Sequence, residues 1–92
     1  MAIRIKIPTP LRKMTAGKDV VEVEGSNVGD ALRALEAQHP GMWTKIVDDS
    51  GKVRRFINVY AGDEDIRFLE GLETAVDART EISIIPAIAG GV

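Results

Sequence analysis

Two adjacent glycines, Gly90 and Gly91, follow the apolar run Ile84-Ile85-Pro86-Ala87-Ile88-Ala89 and precede Val92 in this 92-residue chain. Glycine loses the most backbone entropy on ordering and brings no side chain to bury, so a glycine pair at a chain end gains nothing by folding. It has one chemical use. Lacking a Cβ, such an end can thread a narrow tunnel and carry its carbonyl carbon to another protein's active centre, where a bulkier residue would clash. The end is therefore slack or a reagent, and the residues before it must decide which. Other residues of chemical interest read plainly. Cysteine is absent, which excludes a disulfide frame, a thiolate zinc site and a thiol nucleophile. His39, the single histidine, falls at the expected C-terminus of a helix, where the helix dipole accounts for it. Asp63-Glu64-Asp65 lacks the central glycine and closing glutamate of a calcium loop and reads as a solvated turn, so no metal site is expected. Gly17, Gly25 and Gly29 form neither a GxGxxG nor a P-loop, so no bound nucleotide is expected.

A chain of this length makes one domain with a modest core and no room for a deep enclosed catalytic pocket. Apolar residues at 45% and charged residues at 28% place it among ordinary globular proteins rather than disordered ones. A formal net charge of −2 argues against nucleic acid as a partner, since phosphate recognition requires a basic surface. The N-terminus alternates apolar and charged residues, unlike a secretory signal or a membrane span, and a cytoplasmic protein is expected. Charge is unevenly distributed. Residues 1–18 hold Arg4, Lys6, Arg12, Lys13 and Lys18 without an acid, whereas 61–82 hold Asp63, Glu64, Asp65, Glu70, Glu73, Asp77 and Glu81 against Arg67 and Arg79. Either the two segments are neighbours and neutralise each other, or the asymmetry steers a partner.

The hydrophobic period changes along the chain, and with it the expected structure. Ile3, Ile5 and Ile7 alternate with Arg4 and Lys6, which predicts a half-buried strand ended by Pro8 and Pro10. Val21 and Val23 alternate with Glu22 and Glu24 after the turn-prone Ala16-Gly17-Lys18-Asp19, which predicts an antiparallel partner closed by Gly25. Val28, Ala31, Leu32 and Leu35 then share one helix face, with Asn27 as N-cap, Asp30 in the first turn, and Pro40 and Gly41 as the stop. Residues 42–52 show no clean period and predict an irregular segment with a short helical turn, Trp43 and Ile46 tucked beneath it. A third strand is expected over 55–60, a short one over 66–68 after the break at Gly62, turns within 69–80, and a last strand over 81–86. On the third strand Phe56, Asn58 and Tyr60 share one face and Ile57 and Val59 the other, so one set is core. Phe56, Tyr60 and Phe68 are candidate partner-interface residues, because exposed aromatics concentrate binding energy.

This inventory predicts an α+β domain: a mixed sheet of four to five strands packed on one main helix, with first and last strands adjacent and parallel. That is the β-grasp, or ubiquitin-like, architecture. Residues 1–86 are expected to form the domain and 87–92 a flexible tail. From Pro86 onward the chain could reach roughly 20 Å beyond the body, enough to enter another protein.

The capped helix Asn27-Val28-Gly29-Asp30-Ala31-Leu32, the acidic turn after the third strand, and above all the ending Ile84-Ile85-Pro86-Ala87-Ile88-Ala89-Gly90-Gly91 resemble the ubiquitin-like sulfur carriers of the ThiS/MoaD family. The segments at 55–60 and 63–68 look closest to its CysO-type branch, which serves cysteine biosynthesis. The resemblance implies a sulfur carrier that is a co-substrate and not an enzyme. The carboxylate of Gly91 would be activated with ATP by an E1-like adenylating enzyme of the MoeB/ThiF type, and a sulfur donor would then displace AMP to leave a thiocarboxylate. Ala87, Ile88, Ala89, Gly90 and Gly91 would be the residues bound in the partner's tunnel. The acceptor would be a PLP-dependent cysteine synthase, and the carrier itself would bind no cofactor.

One residue departs from that pattern. Val92 holds the Gly91 carbonyl in a peptide bond, and its stiff β-branched side chain suits a glycine tunnel poorly. A precursor is therefore expected, with Val92 removed by a JAMM-type zinc metalloprotease. Two alternatives share the fold: the small subunit of molybdopterin synthase, and a ubiquitin-like protein modifier whose activated tail acylates lysine. A plain β-grasp interaction module is a further one.

Overall fold

The structure is a computed structural model and describes residues 2–86. Strand β1, Ala2–Lys6, pairs antiparallel with β2, Val20–Glu24, placing Ile3 opposite Val23 and Ile5 opposite Val21. All four are buried, so the period-two alternation does set one inward face, as expected. The connection between them is not a simple turn. Residues Thr9–Thr15 wind into a 3-10 helix that sends Leu11 and Met14 against the core. Pro10 sits in its first turn, where a missing N–H costs nothing. The helix closes at Ala16, whose φ of 56° is a left-handed conformation, followed by Gly17 at 83°. The buried Thr15 hydroxyl reaches the Lys18 carbonyl at 2.8 Å and holds this return.

Helix α1, Val28–Gln38, packs on the sheet through Val28, Ala31, Leu32 and Leu35, all fully buried. Asn27 Oδ1 accepts from the Asp30 N–H at 2.7 Å, the N-cap read from the sequence. Gly25 lies so close to this helix that a Cβ there would meet the Ala31 nitrogen at 2.9 Å. The chain leaves α1 at His39 and turns through Gly41 into a five-residue helix α2, Met42–Ile46. The Glu36 carboxylate accepts from the N–H groups of Gly41 and Trp43. Ile46 is buried as expected, and Trp43 packs half-buried against the core beneath the Arg33 guanidinium, 4.7 Å from its ring centroid.

Strand β3 is Ile57–Ala61 and begins later than the expected 55–60. Its entry is a turn, closed by the Ile57 N–H on the Arg54 carbonyl at 3.0 Å, so Arg55 and Phe56 lie outside the ladder. The short strand also falls elsewhere. Glu64–Asp65 form β4 against Tyr60 and Ala61, whereas Ile66–Phe68, expected extended, form a 3-10 turn. Asp65 causes the change, because its Oδ1 accepts the Arg67 N–H at 2.9 Å and starts a turn where a strand would continue. A further 3-10 turn, Gly71–Glu73, lies within the segment expected to hold turns.

Strand β5, Ile82–Pro86, runs parallel to β1 and antiparallel to β3. The sheet order is β2-β1-β5-β3-β4, the β-grasp arrangement, with the first and last strands side by side at the centre. Ile82, Ile84, Ile57 and Val59 complete the layer beneath α1. Pairing also decides where the basic segment finds its acids. Arg4 lies opposite Glu22, and Lys6 lies between Val20 and Ser83, so β1 meets the glutamate strand rather than the acids of 61–82. The neighbouring β5 contributes no acid to that pairing.

Candidate functional site

The last described rung of β5 pairs Pro86 with Ile57, and the rung before it pairs Ile85 with Asn58. The described chain ends at this corner of the sheet. The expected tail residues Ala87, Ile88, Ala89, Gly90, Gly91 and Val92 lie outside the described residues. The corner itself can be built residue by residue. On β3, Ile57 and Val59 face the core, which leaves Asn58 and Tyr60, both half-buried, on the open face. On β5 the same alternation puts Ser83 and Ile85 on that face, and Ile85 is 45% exposed. Cross-strand pairing aligns Lys6, Ser83, Tyr60 and Asp65 into one row across β1, β5, β3 and β4.

Phe56 and Phe68 are exposed by 63% and 84%. Phe56 immediately precedes Ile57, the partner of Pro86, and has the Arg55 guanidinium over its ring at 5.5 Å. Phe68 follows Arg67, whose guanidinium donates to the Ile57 carbonyl at 2.9 Å. Chain connectivity and pairing therefore place Phe56 and Ile85 beside the last rung of β5, and this bond ties the turn that carries Phe68 to Ile57. Tyr60 lies farther along β3, at the row of Ser83. Of the sequence-derived interface residues, Phe56 and Phe68 are open to solvent and Tyr60 is only partly so.

A groove of about 260 Å³ runs beside the same corner, between the end of β1 and β5, with Ile7, Pro8, Ile85 and Pro86 as apolar walls and Lys6 and Arg12 at its rim. The Arg12 Nε is held by the Ile7 carbonyl at 3.1 Å. This gives the corner an apolar floor and a positive border. A larger cleft, about 640 Å³, lies between the start of α1, Trp43 and residues 70–73, with Ile66 and Arg67 also in its lining.

The perturbed carboxylates lie elsewhere and serve the backbone. Glu36 is held below the usual glutamate range by the Trp43 N–H and then by that of Gly41. The Ser50 hydroxyl lowers Asp48, and the Arg79 N–H lowers Asp77. Each closes a turn, and their hydrogen-bonding partners are backbone amides and nearby hydroxyls. Among the described residues there is no group of three or more His, Cys, Asp or Glu side chains placed to hold a metal ion. Asp65, from the acidic turn, is engaged by Arg67, and His39 is the residue after α1. No helix among the described residues is long and apolar enough to cross a membrane.

Two residues of this corner escape sequence reading. Ile85 could have been found, because alternation with Ile82 and Ile84 across a one-sided sheet assigns it outward. Arg67 could not, since two of its three side-chain acceptors are carbonyls of a distant turn.

Comparison with known proteins gives a consistent picture. Residues 5–91 match the ThiS family. The sulfur carrier protein CysO of Mycobacterium tuberculosis is 41% identical, over 99% of this chain and 100% of its own length. The crystal structure of the Amycolatopsis orientalis BexX/CysO complex contains a chain of 42% identity with a TM-score of 0.91, covering 98% of this chain and 100% of that one. SAMP1 from Haloferax volcanii is 30% identical with a TM-score of 0.80, over 99% of this chain and 100% of that chain.

Proposed function

Since the chain belongs to the ThiS family, we propose that it is a sulfur carrier protein for cysteine biosynthesis, a protein co-substrate whose Gly91 carboxylate becomes a thiocarboxylate. The observation that carries this reading is the full-length 41% identity to a protein named as a sulfur carrier, together with Gly90-Gly91 in the sequence after a strand that ends at the sheet corner.

The chemistry follows from what a carboxylate lacks. It is too poor an electrophile for direct attack by sulfur, so an E1-like adenylating enzyme of the MoeB/ThiF type first joins it to AMP, using ATP and releasing pyrophosphate. A sulfur nucleophile then attacks the acyl carbon and AMP leaves. ATP belongs to that enzyme's site, and the carrier holds no cofactor of its own. The division of labour within the carrier is physical. The folded body gives recognition, with Phe56, Tyr60 and Phe68 as interface residues, while Ala87, Ile88, Ala89, Gly90 and Gly91 give reach. Delivery to a PLP-dependent cysteine synthase would spend the sulfur without releasing free sulfide. Val92, and anything else following Gly91, must first be removed, and a JAMM-type zinc metalloprotease suits that hydrolysis. All of these encounters are expected in the cytoplasm.

The test uses a chain ending at Gly91, incubated with the adenylating enzyme, ATP and a sulfide source, and read by intact-protein mass spectrometry. The expected product is heavier by the difference between one sulfur and one oxygen. A trimmed chain that never acquires that mass would end the proposal. Incubating the full chain with the metalloprotease should remove one valine residue, and a thiocarboxylate formed on a chain that retains Val92 would refute the processing step. The likeness to SAMP1, a modifier by name in its family, favours one second reading: transfer of the activated tail to lysine amines. Isopeptide-linked conjugates on a denaturing gel would identify it.

A further inference from the structure

Arg67 makes more long-range polar contacts than any other side chain at the tail corner. Its Nη1 donates to Asn58 Oδ1 at 3.0 Å, and its Nη2 donates to the carbonyls of Arg54 at 3.0 Å and Ile57 at 2.9 Å. Its own N–H is held by Asp65 Oδ1 at 2.9 Å. The acceptors belong to the entry of β3, and the donor to the turn after β4. One guanidinium thus ties the corner that presents Phe56 to the turn that presents Phe68. It does so at the rung where Ile57 faces Pro86, the last described residue.

This clamp does not make the core. Arg67 is exposed, while Ile57 and Ile66 beneath it are buried through apolar contacts of their own. What it supplies is a second tie, beyond the β3–β4 pairing at Tyr60 and Ala61, between the segments that carry two solvent-exposed rings. We propose that Arg67 is a positioning residue for docking onto the adenylating enzyme: it holds Phe56 and Phe68 at a fixed spacing around the tail exit, so that the body and the tail engage together. This inference rests on the sulfur-carrier reading and adds a partner-recognition element to it. Arg67 touches neither the acyl carbon nor the nucleotide. Lysine cannot replace it, because a single ammonium lacks the planar fork that reaches Asn58, Arg54 and Ile57 at once.

Steady-state loading of a chain ending at Gly91 tests the inference, with carrier concentration varied at saturating ATP and sulfide and at a temperature where circular dichroism shows every variant folded. Arg67→Lys and Arg67→Ala should raise the KM for the carrier about tenfold with kcat within about twofold, the pattern of lost docking contacts. Asn58→Ala, which removes one acceptor only, should give a smaller rise in KM and serves if Arg67→Ala does not fold. Arg79→Lys, on the turn before β5, should leave both constants unchanged. A KM within twofold of wild type for Arg67→Lys and Asn58→Ala would overturn the inference, as would a fall in kcat at constant KM, which would move Arg67 to the chemical step. If the wild-type chain itself is never loaded, the functional reading fails first; if it is loaded and the variants match it, only this inference fails.

Discussion

Replacing Phe68 by serine separates the two roles open to a large aromatic, packing and recognition. The residue is 84% exposed to water. Full burial of a phenylalanine covers about 200 Å², so roughly 170 Å² is open and only about 30 Å² is packed. At about 25 cal/mol per Å², the packed part stabilises the fold by under about 1 kcal/mol. The turn that carries the ring does not depend on it, because the Leu69 N–H on the Ile66 carbonyl and the Arg67 side chain hold the backbone. The open part, if a partner covered all of it, would contribute about 4 kcal/mol by the same coefficient. Covering half leaves about 2 kcal/mol, roughly a 30-fold change in Kd. Urea unfolding of Phe68→Ser should therefore shift by less than about 1 kcal/mol, while titration calorimetry against the adenylating enzyme should show affinity about 30-fold weaker. A large loss of stability would mean that the ring is packed after all. An affinity within twofold of wild type would remove Phe68 from the interface and refute the reasoning from exposure.

Gly25→Ala should cost about 1–3 kcal/mol in urea unfolding, because the new Cβ would meet backbone atoms of Ala31 and Asp30 that cannot swing aside; a loss under about 0.5 kcal/mol would show that α1 can shift outward. Glu36 offers a pH test with a definite sign. Its carboxyl is held below its unfolded value, so the stability it contributes is complete above the ordinary glutamate range, near about 4.3, and is lost as pH falls through that range towards the folded value. Stability measured for the wild type and Glu36→Gln should differ at pH 7 and converge in strong acid, and a difference equal at both would show that the charge on Glu36 is irrelevant to capping α2.

What the amino-acid sequence determined was everything with a local period or a local cap. Ile3, Ile5 and Ile7, the valines of β2, and the face of α1 are where their spacing places them, because alternation and helical repeat each expose one apolar side that the only other layer must cover. Asn27 caps α1 because its partner amide is three residues away. The ending Gly90-Gly91 was likewise visible only as sequence. Tertiary structure decided the rest. Thr9–Thr15 coil rather than run as loop because Leu11 and Met14 find the core at that pitch. Ile66–Phe68 turn rather than extend because Asp65 takes the Arg67 amide. Which aromatics face water depended on the turns that carry Phe56 and Phe68 off the strands, and the Arg67 clamp depended on carbonyls 10 and 13 residues away in sequence. A carbonyl belongs to every residue alike, so a bond made to one leaves no mark in the sequence until the fold brings the donor to it.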